Sequence, residues 1–478
     1  MARIIKFLLP ATFLLFFIVN ALTLNDGHSW GDDFAQYIQH AINLVEHKPY
    51  TSNIALDLWT VVPPGFPLLL SSFIYWFGVN LKLLKIINLI LWALAALVAY
   101  NLAVKKLNIF WARIITIWFL TLPFFFFFKQ NVLSDIPFLC FVLLSIWTFL
   151  QYEEREEKSF FILSLACMCY AFLIRFAGIA LFLSVVLYFC AVKRDWKKSL
   201  PYILAGVLTW TIELNFKASV TEYVTQVAAS PGVWLWAVWN NVVYVLKSIL
   251  DLFIWEDSFL AKMISPAGIL IFKIVGPVVI VGLIVVFLYR LCHKQASFLG
   301  CFTFLYFLGV LFWPVQGGSR YILPIMIPIT VYLVQFIKPA WRNIAMLVFV
   351  FLILHNILVI GSNFNFNDDN IEQPESLEMM HWVAQNIRPE EHYMFYKPRA
   401  LGLMTQRIGA AFWIHPRDRK EWYRRIGPLQ IRYLITDKQL DQISKYDELD
   451  LPIDNYSLHL SKVWENSRFK ILRVRHSL

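Results

Sequence analysis

Charge is scarce in this chain. Only 15% of its 478 residues are Asp, Glu, Lys or Arg, against about 25% in an ordinary soluble domain. With 59% hydrophobic residues, that scarcity excludes disorder. One soluble core is excluded as well, because such cores stop growing near ~250–300 residues. Cysteine is sparse too. Cys140, Cys167, Cys169, Cys190, Cys292 and Cys301 lie in or beside apolar runs, as small buried hydrophobes do, and suggest no disulfide or zinc framework. The loops expected outside show no recognised His/Asp metal-ligand spacing. No basic-aromatic module accompanies the net charge of +10, so nucleic acid is not an expected partner. There is no internal repeat at solenoid or transporter scale, and no low-complexity tract beyond Phe124–Phe128. No small-x-small cleavage site follows the first apolar stretch, which reaches Leu24. Its length of about 18 residues exceeds a typical signal-peptide core. It reads as a first transmembrane helix that starts inside, behind Arg3 and Lys6.

What is present is a series of apolar runs. A spanning helix needs about 20 such residues. Candidate spans are 4–24, 84–104, 111–128, 133–152, 159–174, 176–192, 200–216, 266–290, 297–313, 321–337 and 343–361. The expected fold is therefore a polytopic α-helical membrane protein with about eleven transmembrane helices. The basic residues set its orientation. With the N-terminus inside, the inside loops hold Lys105, Lys106 and Arg113, then Arg155 and Lys158, then Lys193, Arg194, Lys197 and Lys198, then Arg290 and Lys294, then Lys338 and Arg342. Short outside turns carry about one each: Lys129, Arg175 and Arg320. An odd span count then puts the C-terminus outside.

Two outside segments are long. In the first, 25–83, Phe34, Tyr37, Ile38, Ala41, Ile42 and Val45 line one helical face, while Gln36, Gln39, Asn43 and Glu46 line the other. That pattern predicts a helix lying on the membrane surface. Pro63-Pro64-Gly65-Phe66-Pro67 follows, then apolar Leu68 to Phe77 ending at Gly78, a run expected to be re-entrant or interfacial. The second, from Lys217 to about Ser265, places Trp234, Trp236, Trp239 and Trp255 as an interfacial belt would. Beyond the membrane region, 1–361, the composition turns mixed and charged. Asn363 to Asn370 reads as a linker, Pro374 to Ile387 as an amphipathic helix, and Tyr393–Tyr396, Arg432–Thr436 and Lys470–Val474 as strands. Asp437 can cap a following helix. Residues 362–478 are thus expected to form a small C-terminal α/β soluble domain.

Several polar residues fall where chemistry can happen. Asp32 and Asp33 sit at the start of the surface helix, where acids favour a helix N-terminus and where one can act as a general base; the two roles are compatible. Arg320 follows a glycine pair at the outer end of a span. It either snorkels to headgroups or grips a phosphate with its planar fork of donors. Lys129, Arg175 and Lys273 can join it, and an ionisable group inside a span, such as Lys273, is a functional candidate. Asp135 can order that site, pair with Lys129 or cap the next helix. Tyr396-Lys397-Pro398-Arg399 and Arg407 form a basic stretch in the tail. There Arg399 can meet an anionic donor or acceptor, or simply face solvent.

Taken in order, these motifs resemble the GT-C glycosyltransferases. They are the first-loop acidic pair followed by Tyr37, then the Pro-Pro-Gly-Phe-Pro stretch closing on Phe77-Gly78, then Ser134-Asp135-Ile136-Pro137, then Arg320-Tyr321-Ile322-Leu323-Pro324, and a soluble tail beginning Ser376-Leu377-Glu378. The branch they resemble is the bacterial relatives of protein O-mannosyltransferases and of the aminoarabinose transferase that modifies lipid A. The resemblance implies an inverting transferase of the bacterial inner membrane. Such an enzyme moves a sugar from a polyprenyl-phosphate carrier to a lipid, glycan or protein acceptor on the outer face. The family's catalytic aspartate usually lies four residues before the tyrosine, which falls on Asp33, with Asp32 beside it. The family's second acid usually follows the first, whereas Phe34 follows here, so the choice between Asp32 and Asp33 stays open with Asp33 favoured. The family often has Lys or His before the Pro-Pro pair. Val62 stands there, so Arg320, Lys129, Arg175, Lys273 and Arg399 are the cations left to hold the donor phosphate. Asp135, Tyr37 and Tyr321 are expected to order the site. No cofactor is required by this chemistry, and a divalent metal is not demanded.

Two other classes fit a many-spanning chain. A glycan polymerase or ligase should carry its large loop between late spans, whereas here a soluble domain ends the chain. A polyprenyl-lipid transporter or flippase should show repeats and broken helices, and neither is evident. A non-catalytic envelope partner acting through 362–478 would find Asp32 and Asp33 dispensable.

Overall fold

The computed structural model describes residues 2–51, 54–56, 61–216, 231–254, 281–313, 318–362, 371–411, 428–440, 448–453 and 456–477. Its membrane part is helical. The helices Leu81–Lys106, Asp135–Arg155 and Phe176–Lys193, and the stretch Pro339–Ser362, are long and apolar enough to cross a bilayer. Shorter apolar helices accompany them: Leu9–Leu22, Gly65–Phe77, Ile109–Leu120, Lys158–Ile174, Val281–Cys292, Phe298–Leu311 and Leu323–Phe336. Polar residues between apolar runs set several boundaries. The side chains of Asn80, Asn108 and Ser297 accept the amides of Leu83, Trp111 and Gly300 at 3.0, 3.0 and 3.1 Å, each satisfying an N–H that has no partner within its own helix.

Four expectations need correction. The run 111–128 is not one helix. It breaks after Leu120 and resumes as Pro123–Phe128, because Pro123 has no N–H to continue the ladder. The expected loop after Lys217 contains a 23-residue helix, Pro231–Phe253. The first-loop helix, Asp33–Val45, does not lie with its polar face in water: Gln36, His40 and Asn43 are buried along with Phe34, Ile38 and Ala41. The Asn43 amide donates to the Pro49 and Thr51 carbonyls at 3.2 and 2.7 Å, so its polarity closes the next loop instead of facing solvent. Lys129 is fully buried. Its ammonium donates to the Asn20 carbonyl and side-chain oxygen at 3.3 and 2.9 Å and to the Thr23 hydroxyl, serving the C-terminal end of the first helix, Ala2–Leu22, whose last carbonyls lack helical partners. Lys85 acts alike, donating to the Asn25 carbonyl at 2.8 Å and to the Gly27 carbonyl.

The helix Gly65–Phe77 starts behind Pro64 and ends at Gly78, whose φ of 68° suits glycine. It buries Phe66, Leu70 and Ile74 and exposes Tyr75, Trp76 and Phe77. At its start, a Cβ on Gly65 would lie 2.6 Å from the Ile174 nitrogen, and one on Gly178 would lie 2.6 Å from the Phe172 nitrogen. Two glycines therefore let backbone close in on both sides of the same helix end, just before Arg175.

The C-terminal domain is a six-stranded sheet. Its strands are β1 (His392–Phe395), β2 (Gly409–Ala411), β3 (Ile431–Asp437), β4 (Glu448–Ile453), β5 (Tyr456–Glu465) and β6 (Phe469–Ser477). They lie in the order β2-β1-β3-β6-β5-β4, with β1 parallel to β2 and β3, and the pairs after β3 antiparallel. The helix Pro374–Asn386 buries Met379, Met380 and Val383, and a short helix, Pro398–Thr405, follows β1. Asp437 accepts the Gln439 amide at 2.9 Å in a turn and the Arg468 guanidinium at 2.9 Å. The expected linker, Asn363–Asn370, lies outside the described residues.

This domain is docked on the first loop. Trp30 sets its ring 5.3 Å from Phe395 and 6.0 Å from Phe469, and its indole N–H donates to Ser376 at 3.3 Å. The Ile371 amide donates to the His28 carbonyl at 2.8 Å, and the Leu56 amide to the Gly409 carbonyl at 2.9 Å. A Cβ on Gly402 would sit 2.8 Å from the Ile54 oxygen, so the two chain segments touch backbone to backbone.

Candidate active site

Segments far apart in sequence meet at the start of the first-loop helix. His28 ties this loop to the turn before the Asp135 helix. Burial lowers its pKa to about 3, so the ring is neutral. Nδ1 then donates to the Ser29 carbonyl at 2.9 Å, and Nε2 accepts the Val132 amide at 2.9 Å. The ring stacks on Phe34 with centroids 3.7 Å apart, holding the residue next to Asp33. The Ser29 hydroxyl donates to Asn131 at 2.8 Å, and the hydroxyls of Tyr37 and Ser134 share a hydrogen bond of 2.9 Å.

Asp135 begins the helix Asp135–Arg155, with its side chain 1% exposed. It does not pair with Lys129. Arg320 approaches it with a fork, Nε to Oδ1 at 3.0 Å and Nη2 to Oδ2 at 2.8 Å, and Arg175 Nη1 donates to Oδ1. The shared carboxylate holds two guanidiniums side by side, each with donors to spare. Asp33 raises the pKa of Arg320 further, after Asp135. Arg175 lies over the rings of Tyr321 and Phe138, at 5.5 and 6.0 Å from their centroids.

The acidic pair divides its work. Asp32 does not cap its own helix. Its Oδ1 instead accepts the amides of Arg399 and Ala400, at 2.9 and 3.1 Å, at the N-terminus of the Pro398–Thr405 helix in the docked domain. Burial raises its pKa, with Arg399 pulling the other way. Asp33 is 51% exposed and bracketed by cations: Arg320 Nη1 stands 3.9 Å from Oδ2, and Arg399 Nη1 stands 3.9 Å from Oδ1. Neither is within hydrogen-bond distance, so Asp33 is placed by charge yet keeps lone pairs for an incoming group.

Beside Arg175 is a cavity of about 260 Å³, lined mostly by apolar groups and including Tyr37, Arg175, Tyr306 and Tyr321. Its wall includes Leu183, which is 51% exposed on the helix Phe176–Lys193, one of those long and apolar enough to cross a bilayer. Sequence reading brought Asp32, Asp33, Asp135, Tyr37, Tyr321, Arg175, Arg320 and Arg399 to this region, and the structure places all eight here. Lys129 is elsewhere, and Lys273 lies outside the described residues. Tyr306 joins the eight without a sequence signal, since one hydroxyl in an apolar span carries none. Among the described residues no three His, Cys, Asp or Glu side chains cluster as metal ligands.

Residues 61–213 match the dolichyl-phosphate-mannose-protein mannosyltransferase family. The matched segment holds the Pro-Pro stretch, Asp135 and Arg175, and leaves out the acidic pair and Arg320. No curated protein sequence matches the chain. Over nearly its whole length the fold is that of ArnT from Cupriavidus metallidurans. The structure bound to undecaprenyl phosphate aligns with a TM-score of 0.54 at 13% identity, covering 99% of this chain and 98% of that one. The apo structure aligns at 0.55, with the same identity and coverage. The resemblance read from the sequence is thereby borne out in the family match over residues 61–213 and in the fold, and the chain is a multi-pass helical membrane protein with a small C-terminal sheet domain.

Proposed function

We propose that this protein is an inverting glycosyltransferase that takes a sugar from a polyprenyl-phosphate carrier. The observation that carries the reading is the mostly apolar cavity whose wall includes Arg175, beside the Asp135–Arg320 pair and the exposed Asp33. The isoprene units next to the phosphate occupy the cavity, and the phosphate takes the free donors of Arg175 and Arg320. Asp33 removes the acceptor hydroxyl's proton as that oxygen attacks the anomeric carbon. The bond from the anomeric carbon to the phosphate oxygen breaks, and the guanidiniums stabilise the charge gathering on the leaving phosphate. One carboxylate suffices, since no covalent glycosyl intermediate is needed. The undecaprenyl phosphate in the ArnT structure supports a lipid carrier of this kind. Docking of the C-terminal domain on the first loop supports an outer-face site for both, with the N-terminus inside the bacterial inner membrane. Sugar and acceptor are set by pocket shape.

Arg320 tests the phosphate assignment. Arg320→Lys keeps the charge and loses the fork, and is expected to retain partial transfer. Arg320→Ala loses a charge-assisted contact, about 1.5–3 kcal/mol or roughly 10–150-fold. A steady-state assay with purified protein and lipid-linked sugar measures both. Wild-type turnover in the alanine variant would contradict a phosphate role.

A further inference from the structure

The helix Pro231–Phe253 supplies none of the residues placed at the site, yet it holds the segment that carries one of them. Near its end Phe253 stacks on the buried Trp118 of the helix Ile109–Leu120, with ring centroids 4.8 Å apart. About three turns earlier, Asn241 is buried at 4% exposure. Its amide donates to the carbonyls of Leu311 and Trp313, at 3.0 and 2.5 Å. Leu311 ends the helix Phe298–Leu311, whose last carbonyls have no partner within their own helix. One amide from a neighbouring helix therefore fixes the point at which the chain leaves that helix. Val310 and Trp313, on either side of Leu311 and its neighbour, also wall the cavity beside Arg175.

Asn241 shares a helical face with Tyr244, Val245 and Ser248. That face packs against the turn Gly318–Tyr321, which carries Arg320. Tyr244, Val245 and Ser248 meet Gly318, Tyr321 and Ile322 around a cavity of only about 10 Å³, and a Cβ on Gly318 would lie 3.5 Å from the Tyr244 hydroxyl oxygen. Little room is left for the turn to shift. From it the Arg320 side chain reaches Asp135 with its fork. Arg320 is thus set by a carboxylate at its guanidinium and by a helix packed against its backbone.

A polar side chain inside an apolar helix often joins helices, and that role alone would make Asn241 a matter of stability. The position of its two carbonyl partners adds a consequence for the site. A reacting constellation must be held to within about 0.5 Å, and a misplacement of about 1 Å can cost on the order of 10²-fold. We propose that Asn241 is a positioning residue for Arg320. Through the end of the Phe298–Leu311 helix and the packed turn, it sets where the guanidinium meets the donor phosphate, without touching substrate. The proposal rests on the phosphate role given to Arg320.

The test is a double-mutant cycle in steady-state transfer by the full-length protein in detergent, with kcat and donor KM separated and a melting curve for each variant. Asn241→Leu keeps much of the volume and removes the amide. In the wild type it is expected to lower kcat/KM for the lipid-linked sugar about tenfold, mainly through a raised donor KM. In the Arg320→Ala background it is expected to lower it less than about twofold, because the group it positions is gone. Asn241→Gln keeps an amide donor at longer reach and is expected to fall between; should Asn241→Leu fold poorly, Asn241→Gln carries the same cycle. A loss of stability alone would lower kcat equally in both backgrounds and leave KM unchanged. That result would overturn the proposal, as would wild-type kinetics in Asn241→Leu. Wild-type kcat/KM in Arg320→Ala would instead contradict the phosphate role itself, and the proposal with it.

Discussion

Replacing Asp33 with asparagine is expected to lower sugar transfer about 10²–10⁴-fold, with expression and membrane insertion unchanged. Asparagine has nearly the same shape and is accepted at a helix start, but it cannot take a proton. The side chain is half exposed and makes no short hydrogen bond to either flanking arginine, so little of the fold hangs on its charge. Asp32→Asn should cost less. Its remaining carbonyl oxygen can still accept the amides of Arg399 and Ala400, and what it loses is the charge facing Arg399. Asp32→Ala removes the cap, worth about 0.5–2 kcal/mol, and loosens the docked domain. A transfer assay beside a detergent melting curve separates these cases. A larger activity loss in Asp32→Asn than in Asp33→Asn would move the base to Asp32, and wild-type rates in both and in the double variant would refute the mechanism.

Asp135→Ala is expected to be the most destabilising single change at the site. The carboxylate is almost fully buried and is shared by Arg175 and Arg320. Removing it leaves two guanidiniums close together without their counter-charge. Breaking a buried pair this way costs about 3–5 kcal/mol, and the partial exposure of both arginines puts the expected value toward the lower limit. The melting temperature in detergent should fall, and transfer should be lost as the cations separate. A double-mutant cycle identifies the cause: Arg320→Gln should cost less in the Asp135→Ala background than in the wild type, because it then removes an unbalanced charge. Additive losses would show that Asp135 does not hold the two arginines together.

Some of this was legible in the sequence and some was not, for physical reasons. Apolar length and the polar residues between runs locate most membrane helices within a few residues. Asn80 and Asn108 act as caps just before Leu81 and Ile109. In the sequence the helix Pro231–Phe253 looks like a loop, because Asn240, Asn241 and Lys247 interrupt its apolar run and its tryptophans resemble an interfacial belt. In the tail, β1, β3 and β6 stood out as apolar and β-branched runs. β4 and β5 did not, since Asp450, Pro452 and His459 dilute their pattern. Lys129 and Arg175 look alike in sequence, each a lone cation between spans. Only packing shows that Asn20 and Thr23 engage one and Asp135 the other. The distinction between Asp32 and Asp33 depends on a helix more than 360 positions away, a contact that no local pattern encodes.

The central claim is that this protein consumes a polyprenyl-phosphate sugar through Asp33. The measurement that reaches it most directly is mass spectrometry of lipid extracts from cells lacking the protein, cells with the wild type and cells with Asp33→Asn. A polyprenyl-phosphate sugar should accumulate in the deletion, stay elevated with Asp33→Asn and fall when the wild type is restored. Identical carrier-lipid profiles in all three strains would contradict the account.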